Sequence, residues 1–220
     1  MPIIFISLSD TFTDKIKSYG YEAKTMKIQD YIPNKKTYYV SPANSLCFMD
    51  GGIDYALSRI VFPNIEKEVK NIVKQLDIKS IVGKPYLPIG SSIIIDKSNK
   101  SDKSDKSLVI SPTMLLPQNV SNTKNAYYAT MAVLYNILVN RNEKLEDVDI
   151  LFTSFCGYGK MTEADSIQQI MDGIKDYKYY KPKYIINQNI IINEPNLYEQ
   201  PKYYQNTEFF LIKAEDIVLC

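Results

Sequence analysis

An amide, two adjacent glycines and a carboxylate follow one another within residues 41–54 of this chain. They are Asn44, Gly51, Gly52 and Asp54. A β-branched and aromatic run at residues 37–40 precedes them and predicts the end of a buried strand, and a helix is predicted to start at Tyr55. A strand that leads through glycines into a helix N-terminus can hold phosphate, because the backbone approaches closely and presents N–H groups. The stretch therefore predicts an anion site with a carboxylate in the same loop.

A second loop with two glycines, residues 154–160, follows the strand predicted at residues 150–153. Thr162 fits the N-cap of the next helix, and Asp165 three positions later fits a short capping box. Open α/β sheets bind ligands beyond the carboxyl ends of their strands. Both glycine loops are therefore predicted to lie where a sheet of this class binds its ligand.

The chain contains no histidine, which excludes Ser-His-Asp and Cys-His catalysis and any metal site that requires imidazole. Its three cysteines, Cys47, Cys156 and Cys220, are scattered, and they fit neither a disulfide framework nor a zinc spacing. Cys156 lies in the second glycine loop, but without a histidine base it is a poor candidate nucleophile. Any catalysis must then use carboxylates, amides, backbone groups and bound water. No metal and no cofactor is predicted.

The predicted strands and helices alternate along the chain. Strands are predicted at residues 3–8, 25–28, 37–40, 93–95, 108–110 and 150–153. Helices are predicted after the Ser9 cap, from Tyr55, along the apolar face 65–76, over 122–140 and after Thr162. This order predicts an α/β fold, a three-layer α/β/α sandwich with a mixed central sheet. The charged, low-complexity residues 96–106 are predicted to form a solvated hairpin loop.

Composition narrows the class of protein further. The 220 residues carry a net charge of +1 and are 45% hydrophobic, which is typical of a globular protein. The balanced charge argues against direct nucleic-acid binding, and no apolar run approaches the ~20 residues of a membrane span. We therefore expect a soluble, cytoplasmic protein. Prolines and tyrosines punctuate residues 178–220, which we interpret as a C-terminal extension packing on the domain or, alternatively, as an interaction arm.

Three ordered blocks of the sequence resemble the macro domain family, which binds ADP-ribose. The first combines Ser41-Pro42-Ala43-Asn44 with Gly51-Gly52-Ile53-Asp54, and it is similar to the signature loop of the hydrolase branch. The second covers residues 108–114 with the helix bearing 125–127, and the third is the loop 155–161. The amino-acid sequence of these blocks is closest to that of macro-domain-like proteins of phages and large viruses. A viral origin would place the protein in a host cell. The resemblance covers residues 1–177 and implies a macro domain-like fold.

The resemblance also implies a role for individual residues. Asp30 matches the acid that binds the adenine amino group, Asn44 the amide that contacts the distal ribose, and Asp54 the catalytic acid. Two loop segments would hold the diphosphate, and Tyr158 would pack over the distal ribose. The residues of these segments are Gly51, Gly52, Ile53, Ser154, Phe155, Cys156 and Gly157. Turn formation by Asp30 and Asn44, helix stabilisation by Asp54 and simple packing by Tyr158 are the structural alternatives.

Two functions are compatible with this pattern. The first is hydrolysis of an ADP-ribosyl or related C1″ linkage, with an ADP-ribosylated macromolecule, O-acetyl-ADP-ribose or ADP-ribose 1″-phosphate as substrate. The second is a non-catalytic ADP-ribose reader, and a degenerate structural protein on the same scaffold is a third possibility. The sequence departs from the hydrolase pattern at Ser41, at Met49-Asp50 and at Ser154. With either function, nucleic acid would be bound only as an ADP-ribosylated substrate.

Overall fold

Strands and helices alternate along most of the chain. The computed structural model describes residues 3–79, 83–97 and 105–193. The strands are β1 (Ile3–Ser7), β2 (Glu22–Thr25), β3 (Lys36–Ser41), β4 (Ser92–Lys97), β5 (Lys106–Ile110), β6 (Val148–Phe152), β7 (Tyr184–Asn187) and β8 (Ile190–Ile192). The helices are α1 (Asp10–Ser18), α2 (Gly52–Ala56), α3 (Ile65–Gln75), α4 (Asn125–Leu134) and α5 (Glu163–Asp176). Leu57–Val61 and Tyr135–Asn140 continue α2 and α4 as wider π-helical turns, and short 3₁₀ turns occupy Ile28–Asp30 and Tyr177–Tyr179.

The described strands form one mixed sheet in the order β2-β1-β6-β3-β5-β4-β8-β7. The strands from β2 to β5 in this order pair in parallel, so their carboxyl ends lie along one edge. β4 pairs antiparallel with both β5 and β8, and β7 pairs antiparallel with β8. The mixed sheet predicted from the sequence is confirmed.

Alternate residues of the central strands supply two separate cores, one on each face of the sheet. Phe5 and Phe152 face α1, α4 and α5, and their ring centroids are 5.8 Å apart. Ile4 and Leu151 face the opposite way, toward α3 and the turn after α2. The central strands are predominantly apolar, as parallel strands buried on both faces require. Helices therefore cover both faces, and the three-layer sandwich is confirmed.

Most predicted elements lie within a few residues of their observed positions. Ser9 caps α1 by accepting a hydrogen bond from the Phe12 amide, and Thr162 caps α5 by accepting one from the Asp165 amide. The strand predicted at residues 25–28 is wrong, because β2 ends at Thr25 and the chain turns into a 3₁₀ turn that buries Ile28. Part of the charged hairpin loop, residues 98–104, lies outside the described residues.

The sheet continues beyond residue 177, where the resemblance ends. β7 and β8 extend it at the β4 side, and Ile191 and Ile192 are buried. The first part of the predicted extension thus pairs with the sheet, whereas residues 194–220 lie outside the described chain. The domain boundary at residue 177 stays a prediction. Among the described residues, no helix has the length and apolarity needed to cross a membrane.

One buried polar contact fixes the segment after β2 onto the sheet. The Tyr31 hydroxyl donates to Asp149 Oδ2 at 2.9 Å, and Lys35 Nζ lies 3.1 Å from Oδ1 of the same carboxylate. Asp149 is only 6% exposed, so it depends on these partners. We expect Tyr31→Phe to lower the free energy of unfolding by about 1–2 kcal/mol, because a buried carboxylate loses a donor. Urea denaturation measures this, and the exposed Tyr55→Phe is the control; equal stability of both variants would contradict it.

Candidate functional site

A cleft of about 650 Å³ opens along the edge where the parallel strands end. Its walls come from the segments that follow β2, β1, β6, β3 and β5, namely residues 26–29, 7–9, 153–158, 42–54 and 113–117. The volume is in the range of small-molecule and cofactor sites. The position is the one at which open α/β sheets bind ligands. The topology, and not one motif alone, therefore builds the candidate site.

The Asn44 side chain lies in the cleft wall and also holds its own loop together. Its Oδ1 accepts hydrogen bonds from the amides of Leu46 at 3.1 Å and Phe48 at 3.4 Å, and its Nδ2 donates to the Phe48 carbonyl at 3.1 Å. The Asn44 backbone forms a single parallel bridge to Met114, beyond the end of β5. One N–H of the amide is thus committed to the loop, and the second is the group with which Asn44 can reach a ligand.

Glu66 of α3 supports the same loop from outside the cleft. Its carboxylate accepts from the Met49 amide at 3.4 Å and pairs with Arg59 at 2.9 Å and Lys70 at 2.8 Å. These two cations keep the pKa of Glu66 below its usual range in spite of partial burial, which acts in the opposite direction. The Lys70 ammonium also lies 4.0 Å from the centroid of the Phe48 ring, which lines the cleft. Met49 itself is buried in the core.

Gly51 and Gly52 form the turn from this loop into α2. Gly51 is extended and precedes the helix, whereas Gly52 has φ +55°, a left-handed conformation that favours glycine. The first N–H groups of a helix have no partners within it, and Gly51, Gly52 and Ile53 at this turn line the cleft. A Cβ on Gly52 would lie 3.0 Å from Cε2 of Tyr158. Tyr158, 76% exposed, therefore lies over the glycine pair and connects the two glycine loops.

Asp54, like Asp50 directly before Gly51, places a carboxylate near this turn and belongs to the first turn of α2. It lines the cleft, and its Oδ1 accepts a hydrogen bond from Ser41 Oγ at 2.6 Å. Burial raises the pKa of Asp54 to about 7, and the charges of Asp50 and Glu66 act in the same direction, while the Ser41 hydrogen bond opposes them. An acid with this pKa exchanges its proton near neutral pH, as a general acid or base must.

The second glycine loop, residues 154–158, forms the opposite wall. Ser154, Cys156, Gly157 and Tyr158 line the cleft. Phe155 is fully buried against Phe152, and its amide donates to Ser166 Oγ at 3.1 Å, so its role is structural. Burial raises the pKa of the Cys156 thiol to about 12, which gives a poor nucleophile at neutral pH.

The predicted adenine acid lies apart from the rest of the site. The Asp30 side chain is exposed at the end of the 3₁₀ turn, and the preceding Lys27, Ile28 and Gln29 line the cleft instead. Leu8, 72% exposed, lines the same end. The structure thus brings together every predicted site residue except Asp30 and Phe155.

Two contributors to the site, Ser41 and Thr153, are not among the residues predicted from the sequence. Ser41 is buried at the end of β3, and the signal that could have found it is its place at the first signature position. Thr153 lines the cleft directly after β6, and its buried hydroxyl has no hydrogen-bond partner among the described residues. Within these residues, no group of three or more Cys, Asp or Glu side chains is arranged to hold a metal ion.

The raised pKa of Asp54 makes stability depend on pH. The unfolded carboxyl ionises near pH 4, whereas the folded one stays protonated to about pH 7. Folding stability contributed by this proton is complete below pH 4 and is lost as the pH rises to about 7. We expect Asp54→Asn to be more stable than the wild type by roughly 1–3 kcal/mol at pH 8, but little different at pH 4.

Thermal denaturation of both proteins from pH 4 to pH 8 measures the difference. The exposed Asp147→Asn is the matched control, because it removes one carboxylate of the same type outside the cleft. A constant difference between Asp54→Asn and the wild type over this range would contradict a raised pKa.

Two glycines of the second loop should respond differently to the same substitution. A Cβ on Gly159 would lie 2.3 Å from Val120 Cγ2 and 3.2 Å from the Gln118 carbonyl oxygen, whereas a Cβ on Gly157 would meet nothing within 4 Å. We expect Gly159→Ala to lower the free energy of unfolding by about 1–3 kcal/mol through overpacking. Gly157→Ala should leave it nearly unchanged. Urea denaturation of the two variants tests this, and equal losses would refute the packing of this loop.

Among solved structures, the chain is similar to macrodomains, with TM-scores below 0.5. No model of a known protein family matches the chain, and no curated protein matches it significantly. A glycine-to-valine mutant of the Oceanobacillus iheyensis macrodomain with ADPR is 13% identical, with a TM-score of 0.49, over 78% of this chain and 75% of that one. The same macrodomain with MES bound is 15% identical over 71% and 76%, with a TM-score of 0.49. At these values, the similarity by itself assigns no function to the chain.

Proposed function

We propose that the chain binds ADP-ribose in the cleft and hydrolyses an ADP-ribosyl or related C1″ linkage. One observation carries the proposal: Asp54, with its pKa raised to about 7, and the glycine turn both line one cleft of about 650 Å³. A diphosphate is bound by N–H donors, and hydrolysis of a bond at C1″ of the ribose needs a nearby acid or base. The cleft offers both within a few residues of sequence.

Binding would use the two glycine loops as opposite walls for the diphosphate. On one side are the backbone N–H groups of Gly51, Gly52 and Ile53, and on the other those of residues 154–157, apart from the Phe155 amide that Ser166 occupies. Backbone donors suffice for phosphate without lysine. The base would lie toward Leu8 and Gln29. A role for Asp30 at the adenine would require its exposed side chain to turn into the cleft.

Hydrolysis would use Asn44 and Asp54. The second N–H of the Asn44 amide would donate to a hydroxyl of the distal ribose and so fix the sugar, and Asp54 would position or deprotonate the attacking water. With a pKa of about 7, Asp54 is a stronger base than an ordinary carboxylate and is still partly ionised at neutral pH. Tyr158, which lies over the glycine pair, would cover the ribose and exclude bulk water.

A non-catalytic ADP-ribose reader is the second candidate. The observation that favours it is the commitment of the Asn44 amide to its own loop, through three hydrogen bonds to Leu46 and Phe48. Such an amide stiffens the binding wall more than it orients a substrate. Both candidates require ADP-ribose binding, and turnover separates them.

We expect calorimetric titration to show ADP-ribose binding to the wild type. Asp54→Asn should slow release of ADP-ribose by roughly 100-fold or more, because general acid–base catalysis contributes about 10²–10⁴-fold. Its affinity should change by less than about fivefold, since the backbone donors remain. The substrates are mono-ADP-ribosylated protein, ADP-ribosylated nucleic acid, O-acetyl-ADP-ribose and ADP-ribose 1″-phosphate, and Asp147→Asn is the control.

The outcomes separate the candidates. If the wild type binds ADP-ribose but releases it from none of these substrates, the non-catalytic reader is the remaining candidate. Equal losses of affinity and turnover in Asp54→Asn would make Asp54 a scaffold residue. A lack of binding at millimolar ADP-ribose would end both proposals.

A further inference from the structure

The Ser41 hydroxyl is fixed by the sheet itself. Ser41 is the last residue of β3, pairs with Ile110 of β5, and its carbonyl accepts from the Ser111 amide at 3.1 Å. The residue is fully buried. Its Oγ therefore has a position set by the central strands and not by the mobility of a loop.

This hydroxyl determines which oxygen of Asp54 faces the cleft. A serine hydroxyl has one hydrogen to donate, and here it goes to Asp54 Oδ1 at 2.6 Å. Asp54 lines the cleft, whereas Ser41 lies beneath it in the core. Oδ1 thus points down toward the sheet, and Oδ2 is the oxygen left for a ligand or a water.

We propose that Ser41 is a positioning residue for Asp54, which holds Oδ1 against the sheet so that Oδ2 meets the ribose or the attacking water. The assignment of that partner rests on the proposed function, whereas the Ser41–Asp54 contact does not. Ser41 is the first residue of the signature stretch, residues 41–54.

The charges around Asp54 make this contact consequential. Asp50 in the loop and Glu66 of α3 are negative, and both disfavour ionisation of Asp54. The Cys47 thiol also lies close, and burial together with the Asp54 charge keeps it protonated. Glu66 is itself paired with Arg59 and Lys70. The hydrogen bond from Ser41 favours the ionised form against this background.

Carbon-13 NMR of aspartate-labelled protein tests the proposal directly. The Asp54 carboxyl resonance is identified by its loss in Asp54→Asn and is followed from pH 4 to pH 9. Removal of a donor from the ionised form should raise the titration midpoint, so we expect Ser41→Ala to shift it upward by roughly one pH unit. Ser41→Thr keeps the hydroxyl and should restore the wild-type midpoint. An unchanged midpoint in Ser41→Ala would overturn the proposal.

Ser41→Cys covers the case in which Ser41→Ala does not fold, because it keeps the side-chain volume and replaces the hydroxyl with a weaker donor. Its midpoint should lie above that of the wild type, and an equal midpoint would overturn the proposal. With substrate, Ser41→Ala should lower kcat by roughly 10-fold and leave KM nearly unchanged. A displaced Oδ2 reduces stabilisation of the transition state and leaves substrate binding as it was. If the midpoint shifts but ADP-ribose does not bind, the proposed function fails and the positioning contact stands.

Discussion

The parallel pairing of the strands from β2 to β5 is the constraint on which the site depends. Because these strands run in one direction, their carboxyl ends meet along one edge, and the segments that leave them enclose the cleft. Parallel strands require burial on both faces, and the two cores provide it. The distance between Ser41 and Asp54, and between the two glycine loops, follows from this sheet.

In the walls of the cleft and the segments behind them, several polar groups are already used by the protein. The Asn44 amide holds its own loop, the Phe155 amide donates to Ser166, and Glu66 anchors the Met49 amide. These contacts hold the walls in place and leave backbone N–H groups and the carboxylates of Asp50 and Asp54 at the cleft. Preorganised donors of this kind lose little entropy on binding. Asp54 is the exception, since burial and its negative neighbours leave it close to its protonation midpoint at neutral pH.

Periodicity and capping residues predicted the layers well, because a buried strand and an amphipathic helix each leave a local pattern. Ser9 and Thr162 act locally and were found. The strand predicted at residues 25–28 was wrong, since Ile28 is buried from a 3₁₀ turn and four residues do not distinguish the two. The place of Ser41 in the signature stretch is visible in the sequence, but its hydrogen bond to Asp54 is not, because the two residues are thirteen positions apart and meet only after β3 and α2 pack. The exposure of Asp30 likewise depends on how the segment around Tyr31 attaches to β6.

A crystal structure of the chain soaked with ADP-ribose tests the central claim most directly. The account predicts the diphosphate between the two glycine loops, with its oxygens about 2.7–3.2 Å from the N–H groups of Gly52 and Ile53. The distal ribose should lie beside Asp54 Oδ2 with Tyr158 over it. An empty cleft at saturating ligand, or ADP-ribose bound at any other place on the molecule, would contradict the account.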